Sequence, residues 1–544
     1  MTLAFGAHAL HYSYSTDDAF ITFRYVRNLL AGHGLVYNPG ERAEGYTNFL
    51  WAMLLAGAAI TGADIVQSAR ILGFLSSAGT IVLVTIMANR FLTRRYAGKA
   101  HSALSLVPGA LLAANGSFAM WTLGGLETAL FTFLLVLITF VYLDARHARA
   151  MHVCGLLFAL LIMTRPDGVV FLAATAAHII VGPIRSSPDS SIKRRVGLFM
   201  RLLTVCLAVF LPYFVWRYSY YGYPLPNTFY AKVAGGTASI VRGIRYAWFF
   251  VADYGLVPIA AAAVFFYARM FQTADGEGRR RVIGFESSFL LLQIAACVGF
   301  VLYVGGDQLV MHRFFVAIFP AMYLLSVMGL SELLRLRESV ETQGAASHWR
   351  IGLVAACAAA VAVTAAPSFF GREHHRVFDV EKPADADRMK VGKWLKNTVD
   401  SDTTIALIPA GIIPYYSGLK TIDLVGLNDV HIAHTEVAEF GRGEAGHEKY
   451  NSAYVLGRKP DLVFLGACRI WPQKLPVEEL LSYYWIYGVL APGNREMLRL
   501  YDFRSRYVPC AARVDSGYVH FFKQRDYEMP SAEPLAAEPL ALRD

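Results

Sequence analysis

The stretch FESSFLLLQIAACVGFVLYV, residues 285–304, decides the fold class of this 544-residue chain. It is long and apolar enough for a helix that crosses roughly 30 Å of hydrocarbon. Similar apolar runs lie at Ile65–Phe91, Leu126–Leu143 and Phe314–Leu334. The chain is 55% hydrophobic and 17% charged, with a mean hydropathy of +0.40, whereas soluble domains carry about 25% charged residues. These values exclude a soluble globular protein and predict a polytopic membrane protein.

The apolar segments predict about ten spans. They lie at about 65–91, 102–115, 124–143, 151–164, 168–184, 197–216, 246–268, 284–304, 313–334 and 350–368. The apolar stretch Phe49–Ile60 is too short for a full crossing and is expected to insert halfway. The segment Met1–Tyr14 lacks the features of a signal peptide and is expected to be the end of a first span or a segment that enters the membrane partway.

The loops between these spans alternate in charge. Seventeen basic residues lie in one set of loops, which the positive-inside rule assigns to the cytoplasm. The segments 15–48, 115–125, 164–168, 217–245 and 305–312, and everything after about Pro367, are therefore expected to face outward. The net charge of +9 and the pI near 9.1 reflect this topology, so nucleic acid is not expected as a partner.

The sequence predicts no metal centre. No CxxC and no Cys/His spacing typical of zinc occurs. No cofactor is certain from the pattern, and a divalent cation is left open. Cys468 and Cys510 could form a disulfide if their domain faces an oxidising compartment, or remain unpaired in its core.

The composition turns polar after Gly371 and predicts a second domain. A helix at about Ala384–Asn397 and strand-like runs at 404–408, 421–425 and 461–466 indicate a small α/β fold. The fold class is thus mostly α, with a helical membrane domain over 1–371 whose first outward loop is 15–48. A periplasmic α/β domain over 372–527 follows, and the Ala/Pro/Glu-rich stretch 528–544 is expected to be a disordered tail.

Two adjacent carboxylates, Asp17 and Asp18, lie at the outward membrane surface, where an ionised group is costly unless it has a task or a partner. Adjacent side chains project differently, so one could act as a base while the other orients the backbone or binds a cation. Asp17 is the preferred base, because the predicted helix would then start at Asp18. The compatible alternative is that Thr16 or Asp17 caps the amphipathic helix over Ala19–Leu30.

The turn Thr164–Gly168 contains a second ionic group. Arg165 at the membrane surface suits a phosphate, because its planar guanidinium matches phosphate geometry. The alternative is that Arg165 and Asp167 form an ion pair that only closes a tight turn.

Two further outward segments carry candidate polar residues. Asp307, His312 and Arg313 gather before a span, where they form a site or serve as interfacial anchors. The loop 224–232 presents Tyr230 and Lys232 with Asn227, a surface compatible with a sugar, although an aromatic belt at the membrane interface explains its tyrosines equally well.

The stretch TDDAFITFRYVRNLLAGHGLVYNPGERAEGYTN, residues 16–48, resembles the first outward loop of bacterial membrane glycosyltransferases of the GT-C superfamily. The nearest relatives in this resemblance are the terminal arabinofuranosyltransferases of the mycobacterial cell wall and related flagellar motor control proteins. Shorter similarities extend over most of the chain. They are GLETAL at 125–130, TRPDG at 164–168, PNTFYAK at 226–232, GGD at 305–307 and DLVGLND at 423–429.

The resemblance implies a transferase that uses a polyprenyl-phosphate-linked sugar, with an aspartate of the first loop near the chemistry and an outer domain that helps to hold a glycan acceptor. Carried onto this sequence, it makes Asp17 and Asp18 the catalytic candidates. The candidates for binding the donor phosphate are Arg24, Arg165, Lys232 and Arg313. The candidates for binding substrate are Glu44, Glu127, Asp167, Asn227, Tyr230, Asp307, His312, Asn428, Asp429 and His431.

The main functional hypothesis is an inverting glycosyltransferase in the bacterial inner membrane, with arabinofuranose as one candidate sugar. A transporter for lipid-linked glycans is the first alternative, but transporters place ionisable sites near the bilayer midplane and often have repeated halves, whereas here the ionic groups lie at outward ends. A membrane scaffold without catalytic activity is the second. The segment Asp423–His434 is expected to face the membrane cavity and to contact the acceptor.

Overall fold

A computed structural model of the protein describes residues 1–95, 103–144, 149–183, 191–258, 260, 284–338, 348–438 and 440–535. Most of the first 365 residues are helical. Within the described residues these helices are α1 Thr2–Tyr12, α2 Asp17–Leu30, α3 Phe49–Ile60, α4 Ile65–Arg95, α5 Val107–Ala114, α6 Gly116–Leu123, α7 Thr128–Asp144, α8 Arg149–Thr164, α9 Gly168–Val181, α10 Ile192–Tyr221, α11 Asn227–Lys232, α12 Gly236–Tyr254, α13 Phe285–Val304, α14 Phe319–Glu338 and α15 His348–Ala365. A 3₁₀ helix, Arg313–Ile318, precedes α14.

The apolar helices confirm a multi-pass membrane protein of mostly α class. Within the described ranges, five helical segments are long and apolar enough to cross a membrane, or six if one bent pair counts as a span. The helices α3, α8 and α9 are apolar but shorter. The predicted ten spans therefore include several that fall short of full length, and the span expected at 246–268 runs beyond Pro258 into residues outside the described ranges.

The bent pair of α6 and α7 contacts both the first loop and α3; from the first loop, the Thr16 amide donates to the Gly124 carbonyl at 3.1 Å. Asn115 caps α6 by accepting a hydrogen bond from the Phe118 amide at 2.8 Å, and α7 then leaves at 116° to α6. Gly125 lies between the two helices with a φ of +85°, which favours glycine. Its carbonyl accepts a hydrogen bond from the Trp51 indole at 3.0 Å. The sharp break leaves Glu127 directly before the first residue of α7.

The rest of the chain connects the last span to the outer domain and forms that domain. Its helices are α16 Pro367–Phe370, α17 Arg372–His375, α18 Lys382–Thr398, α19 Ile412–Ser417, α20 Val430–His434, α21 Ser452–Gly457, α22 Val477–Tyr487, α23 Gly493–Arg499 and α24 Tyr501–Arg506, with a π-helical segment at Arg376–Glu381. Its strands are β1 Thr404–Leu407, β2 Lys420–Asp423, β3 Leu462–Phe464, β4 Ile470–Trp471, β5 Tyr507–Val514, β6 Gly517–Gln524 and β7 Glu533–Pro534.

The strands form one mixed sheet that confirms the predicted α/β class. The order is β2-β1-β3-β6-β5-β7, and β4 pairs with β6. The pairs β1–β2 and β1–β3 are parallel, whereas β3–β6, β4–β6, β5–β6 and β5–β7 are antiparallel. Cys468 and Cys510 are buried and not joined by a disulfide. The prediction that a disordered tail starts at residue 528 places that start too early. The strand β7 pairs with β5, and the Leu535 amide donates to the Pro509 carbonyl at 2.9 Å. Residues 536–544 lie outside the described ranges.

The outward segments predicted from the charge pattern meet the outer domain. In the first loop, the Tyr37 hydroxyl donates a hydrogen bond to the Ala410 carbonyl at 2.7 Å. The 224–232 loop donates from the Asn227 amide to the Leu427 carbonyl at 3.0 Å, and the 305–312 segment accepts from Arg376 through the Gln308 carbonyl at 2.8 Å. These segments therefore occupy the same end of the membrane domain as the outer domain.

We expect this end to be extracytoplasmic. Alkaline phosphatase fused after residue 400 should be active and a fluorescent protein fused there should be dark, because the basic loops hold the opposite end in the cytoplasm. Fusions in the loop that contains Arg146 and Arg149 should give the reverse pattern. Fluorescence at residue 400 together with phosphatase activity in the 146–149 loop would contradict the assignment.

Candidate functional site

The carboxylates Asp17 and Asp18 face different surroundings. The helix α2 begins at Asp17, one residue earlier than the preferred assignment required, and its N-cap Thr16 makes no side-chain capping bond. Asp17 is 9% exposed, and its carboxylate accepts hydrogen bonds from the amides of Gly411 at 3.0 Å and Ile412 at 2.8 Å. Asp17 thus joins α2 to the outer domain instead of capping its own helix.

Burial raises the pKa of Asp17, and the charge of Arg388 and the two amide bonds oppose that rise. Asp17 also has little room around it, because a Cβ atom on Gly411 would collide with the Asp17 carbonyl oxygen. Asp18 has a 20% exposed side chain, and its Oδ2 atom lies 3.6 Å from the Nζ atom of Lys232. Asp18 is thus the more exposed of the two carboxylates, although Asp17 also borders the space between α2 and the outer domain.

Asp18 lies where two cavities meet. The membrane-side cavity, about 470 Å³, is bounded by the first loop, the 164–170 turn, the 225–233 loop and residues 300–314. The outer cavity, about 370 Å³, lies between α2 and the outer domain. Asp18, Ile21, Gln308 and Leu427 line both. A group bound in either cavity can therefore approach the same carboxylate.

The membrane-side cavity gathers three of the four cations predicted to bind a phosphate: Arg165, Lys232 and Arg313. Arg165 pairs with Asp167 at 2.9 Å and with Glu127 at 3.3 Å. Arg313 pairs with Asp307 at 2.6 Å. The predicted ion pair within the 164–168 turn is thus present, but it lines a cavity and does more than close the turn.

The acidic candidates Glu127, Asp167 and Asp307 also line this cavity, where they are the partners of its arginines. Asn48 donates to the second oxygen of Glu127 at 2.7 Å. These bonds fix the guanidinium groups, so that the arginines present a preorganised positive edge. The sequence suggested that these acids bind substrate. In the structure they form ion pairs with the arginines of the cavity.

The outer cavity is lined by ionisable residues of the outer domain that the sequence did not single out. They are Arg376, Glu381, Arg388, Glu444, His447 and Arg469. Arg388 pairs with Asp385 at 2.5 Å. Burial, with a contribution from Lys232, lowers the pKa of His447 to about 4, so this imidazole is neutral at neutral pH. Arg388 lies in the helix predicted over 384–397. The polar face of that helix carries several charged residues, and the sequence does not indicate which of them lines a cavity.

Arg24 does not line either cavity, which corrects its assignment as a phosphate ligand. Its side chain is 2% exposed and donates to the carbonyls of Tyr37 at 2.7 Å, Pro414 at 2.6 Å and Leu419 at 2.8 Å. A further bond reaches the Asn38 side chain at 3.0 Å. Four of the five N–H donors of the guanidinium are used, two within the first loop and two to the outer domain.

Glu44 and Asn227 are likewise structural. Glu44 accepts a hydrogen bond from Arg217 at 2.8 Å in a buried ion pair, and burial raises its pKa to about 7 against the opposing effect of Arg217. Asn227 donates to the Gly426 carbonyl at 2.8 Å. Neither side chain lines the cavities at Asp18.

Tyr230 and His312 also lie outside the two cavities. The Tyr230 ring packs on His434 with centroids 4.2 Å apart. His312 is 3% exposed and lies 2.7 Å from an oxygen of Asp253. The first belongs to an aromatic cluster, and the second holds the 305–312 segment against α12.

The segment Asp423–His434 reaches the cavities through Val425 and Leu427, and not through the polar residues expected there. Asn428 donates to Asp423 at 3.0 Å. Asp429 caps α20 and pairs with Arg458 at 2.9 Å. The His431 ring stacks on Tyr454 with centroids 4.0 Å apart. The acceptor role assigned to Asn428, Asp429 and His431 therefore has no contact that supports it.

Within the described ranges, no group of three or more His, Cys, Asp or Glu side chains could hold a metal ion. Positive charge at the cavities is supplied by lysine and arginine side chains.

Comparison with known proteins supports the fold. A terminal beta-(1->2)-arabinofuranosyltransferase of Mycobacterium tuberculosis is 30% identical over 252 residues, which is 43% of this chain and 38% of the relative. The chain thus matches well under two thirds of that relative's length. A family model described as a domain of unknown function (DUF8728) matches residues 379–507.

Two solved structures share the architecture. The oligosaccharyltransferase of Archaeoglobus fulgidus in its apo form aligns with a TM-score of 0.54 and 11% identity over 95% of this chain and 72% of that one. ArnT from Cupriavidus metallidurans bound to undecaprenyl phosphate aligns with a TM-score of 0.51 and 14% identity over 77% of this chain and 85% of that one. The resemblance to GT-C membrane glycosyltransferases is confirmed at the level of the fold.

The contacts of Arg24 give the first prediction for this site. Arg24→Gln should lower the unfolding midpoint of the detergent-solubilised protein by about 5 °C or more, because several buried carbonyls lose their donor, each at about 1–3 kcal/mol. Arg42→Gln, at an exposed arginine of the same loop, should change stability by no more than about 0.5 kcal/mol. An unchanged midpoint combined with weaker donor binding would restore the phosphate role.

Proposed function

We propose that this chain is an integral membrane glycosyltransferase that moves a sugar from a polyprenyl-phosphate donor to a glycan acceptor of the cell envelope. The reaction takes place at the outer face of the bacterial inner membrane. The observation that carries the proposal is the position of Asp18, where an apolar cavity with a cationic edge meets a polar cavity of the outer domain.

The membrane-side cavity suits a lipid phosphate. Its apolar wall includes Phe300 and Val304 of α13 and Val170 of α9. Val169 and Tyr303 line the cavity and are 52% and 57% exposed, so the wall reaches the lipid-facing surface. An isoprenoid chain can lie along such a wall while its phosphate meets cations at the membrane surface, where a compensating charge is needed. The binding of undecaprenyl phosphate by ArnT, which has a similar fold, is consistent with this arrangement.

The cations beside Asp18 suit the phosphate of the donor. Lys232 is the nearest, and Arg165 and Arg313 stand in the same cavity with guanidinium groups fixed by acidic partners. As the bond between the anomeric carbon and the phosphate oxygen breaks, negative charge grows on the phosphate. Preorganised cations stabilise that charge without reorganisation.

Asp18 is the proposed general base. It takes the proton of an acceptor hydroxyl in the outer cavity, the hydroxyl oxygen attacks the anomeric carbon, and the lipid phosphate leaves with the bonding electron pair. Direct displacement inverts the anomeric configuration. Asp17 lines only the outer cavity and is less suited, because both of its oxygens already accept amide hydrogen bonds that favour the ionised form.

The relative from Mycobacterium tuberculosis makes arabinofuranose the first sugar to test. The outer domain supplies most of the charged side chains of the outer cavity, including Arg388 and Arg469, and so forms the wall against which an acceptor would lie.

Replacement of Asp18 tests the proposed base. Asp18→Asn preserves size but removes proton acceptance, so turnover should fall by roughly 100-fold or more while the unfolding midpoint changes little. Asp17→Asn should instead lower the midpoint, because the contact with Gly411 and Ile412 is weakened. The assay follows a radiolabelled sugar from a polyprenyl-phosphate-arabinofuranose donor to a soluble glycan acceptor in purified, lipid-reconstituted enzyme.

Wild-type turnover in Asp18→Asn would remove Asp18 from the chemistry. Loss of turnover in Asp17→Asn with unchanged stability would transfer the role to Asp17. Movement of the lipid-linked sugar across vesicles without any covalent transfer by the wild type would instead support a transporter.

Replacement of Lys232 tests the donor phosphate. Lys232→Gln should raise the KM for the lipid donor about tenfold or more, because a charge-assisted hydrogen bond of about 1.5–3 kcal/mol is lost. Lys396→Gln, on the exposed surface of α18, should leave the KM unchanged. A lower kcat with an unchanged donor KM would show that Lys232 acts on Asp18 alone.

A further inference from the structure

A third cavity of about 920 Å³ lies beside the outer cavity, and the proposed chemistry does not use it. We call it the basic groove, because five arginines from three segments line it. They are Arg242 and Arg245 of α12, Arg372 and Arg376 at the start of the outer domain, and Arg442 of the loop before α21.

The acidic side chains of the basic groove do not cancel this charge. Three acids line it. Asp307 is bonded to Arg313, which lines the membrane-side cavity. Glu373 accepts from the Met311 amide at 2.8 Å and pairs with Arg372 at 3.4 Å. Glu444 is the third, and burial raises its pKa, which opposes its negative charge. Five arginines and three acids line the groove, so its lining has more positive than negative side chains. Two acids outside the lining, Glu448 and Glu381, pair with Arg242 and Arg376.

Ion pairs help to hold the arginines in place: Arg372 pairs with Glu373, and Arg376 pairs with Glu381 at 3.5 Å. Arg242 donates to the carbonyls of Gly305 and Gly443, both at 3.0 Å, and pairs with Glu448 at 3.1 Å. The Arg372 guanidinium lies over the Phe249 ring at 4.0 Å. Arg245 is exposed. Fixed guanidinium groups bind carboxylate and phosphate in the same two-point geometry.

The basic groove continues into the outer cavity. Leu309, Arg376, Glu444 and Leu490 line both, and Gln308 lines the groove, the outer cavity and the membrane-side cavity. Ligand pockets commonly measure about 300–1,000 Å³, so the outer cavity is at the small end of that range and the groove at the large end. A chain whose reactive end lies at Asp18 would extend into the groove.

We propose that the basic groove binds anionic groups, carboxylate or phosphate, on the body of the acceptor glycan. The inference rests on the proposed function, because it gives the acceptor of that reaction its chemical class. The same anions occur on lipid headgroups, so the test separates a soluble polyanionic glycan from the membrane.

The probe is a fluorescent hexamer of galacturonic acid, compared with its fully methyl-esterified, neutral form, and the protein is the full chain in phosphatidylcholine nanodiscs. The wild type should bind the acidic hexamer more tightly than the neutral one, and the preference should weaken with salt because exposed charges are screened. Arg245→Gln/Arg372→Gln should weaken binding of the acidic hexamer about fivefold or more, since two exposed ion pairs are lost. Arg499→Gln/Arg513→Gln, a pair of exposed arginines that do not line the groove, should bind as the wild type does.

Equal binding of the two hexamers would overturn the inference. So would an Arg245→Gln/Arg372→Gln variant that binds the acidic hexamer as the wild type does but has lost a wild-type preference for phosphatidylglycerol over phosphatidylcholine, because the ligand would then be a lipid headgroup. Asp18→Asn should bind the acidic hexamer as the wild type does, because Asp18 does not line the groove. Full transferase activity in Asp18→Asn would remove Asp18 as the base without contradicting anion binding in the groove. A wild type that transfers sugar but does not prefer the acidic hexamer would overturn the groove alone.

Discussion

The arrangement of the site depends on how the helix α2 is held against the outer domain. Asp17 accepts two backbone amides of that domain, and Arg24 donates to two of its carbonyls. Both side chains are almost fully buried, so these bonds cannot be exchanged for water. They fix the rotation of α2. Because consecutive residues of a helix project about 100° apart, a helix that turns Asp17 into the outer domain turns Asp18 elsewhere.

The direction in which Asp18 points has an electrostatic consequence. It faces a boundary between an apolar wall and a polar cavity, where an ionised carboxylate needs a nearby cation. Lys232 provides it at 3.6 Å, a separation that is an ion pair but leaves room for a competing anion. The arginines of the same cavity are held by acidic partners and change position little when charge develops. The cavity thus combines one loosely paired cation with two that are fixed.

The outer domain is part of the site as well as an attachment to the membrane domain. Its helix α18 and its loops form one wall of the outer cavity, and its first residues form one side of the basic groove. The bonds that orient α2 are made with the same domain. An outer domain that moved relative to the membrane domain would therefore change the direction of Asp18 and the shape of both acceptor-side cavities together.

The sequence alone determined the membrane class, the α/β outer domain and the cations that gather in the membrane-side cavity. Apolar runs must lie in hydrocarbon and strands must alternate with helices, so these features follow from local pattern. Arg165 was identified because a guanidinium at the membrane surface suits a phosphate, and the resemblance to GT-C glycosyltransferases extended that role to Lys232 and Arg313. Only the tertiary structure decided that Asp18 lines both cavities whereas Asp17 lines the outer one alone and is bonded to backbone amides. It also decided that Arg24 and Glu44 are buried in structural contacts and that Arg388 and His447 line the outer cavity. Residues hundreds of positions apart meet there, and neighbouring carboxylates differ only in what surrounds them, which no local pattern of residues encodes.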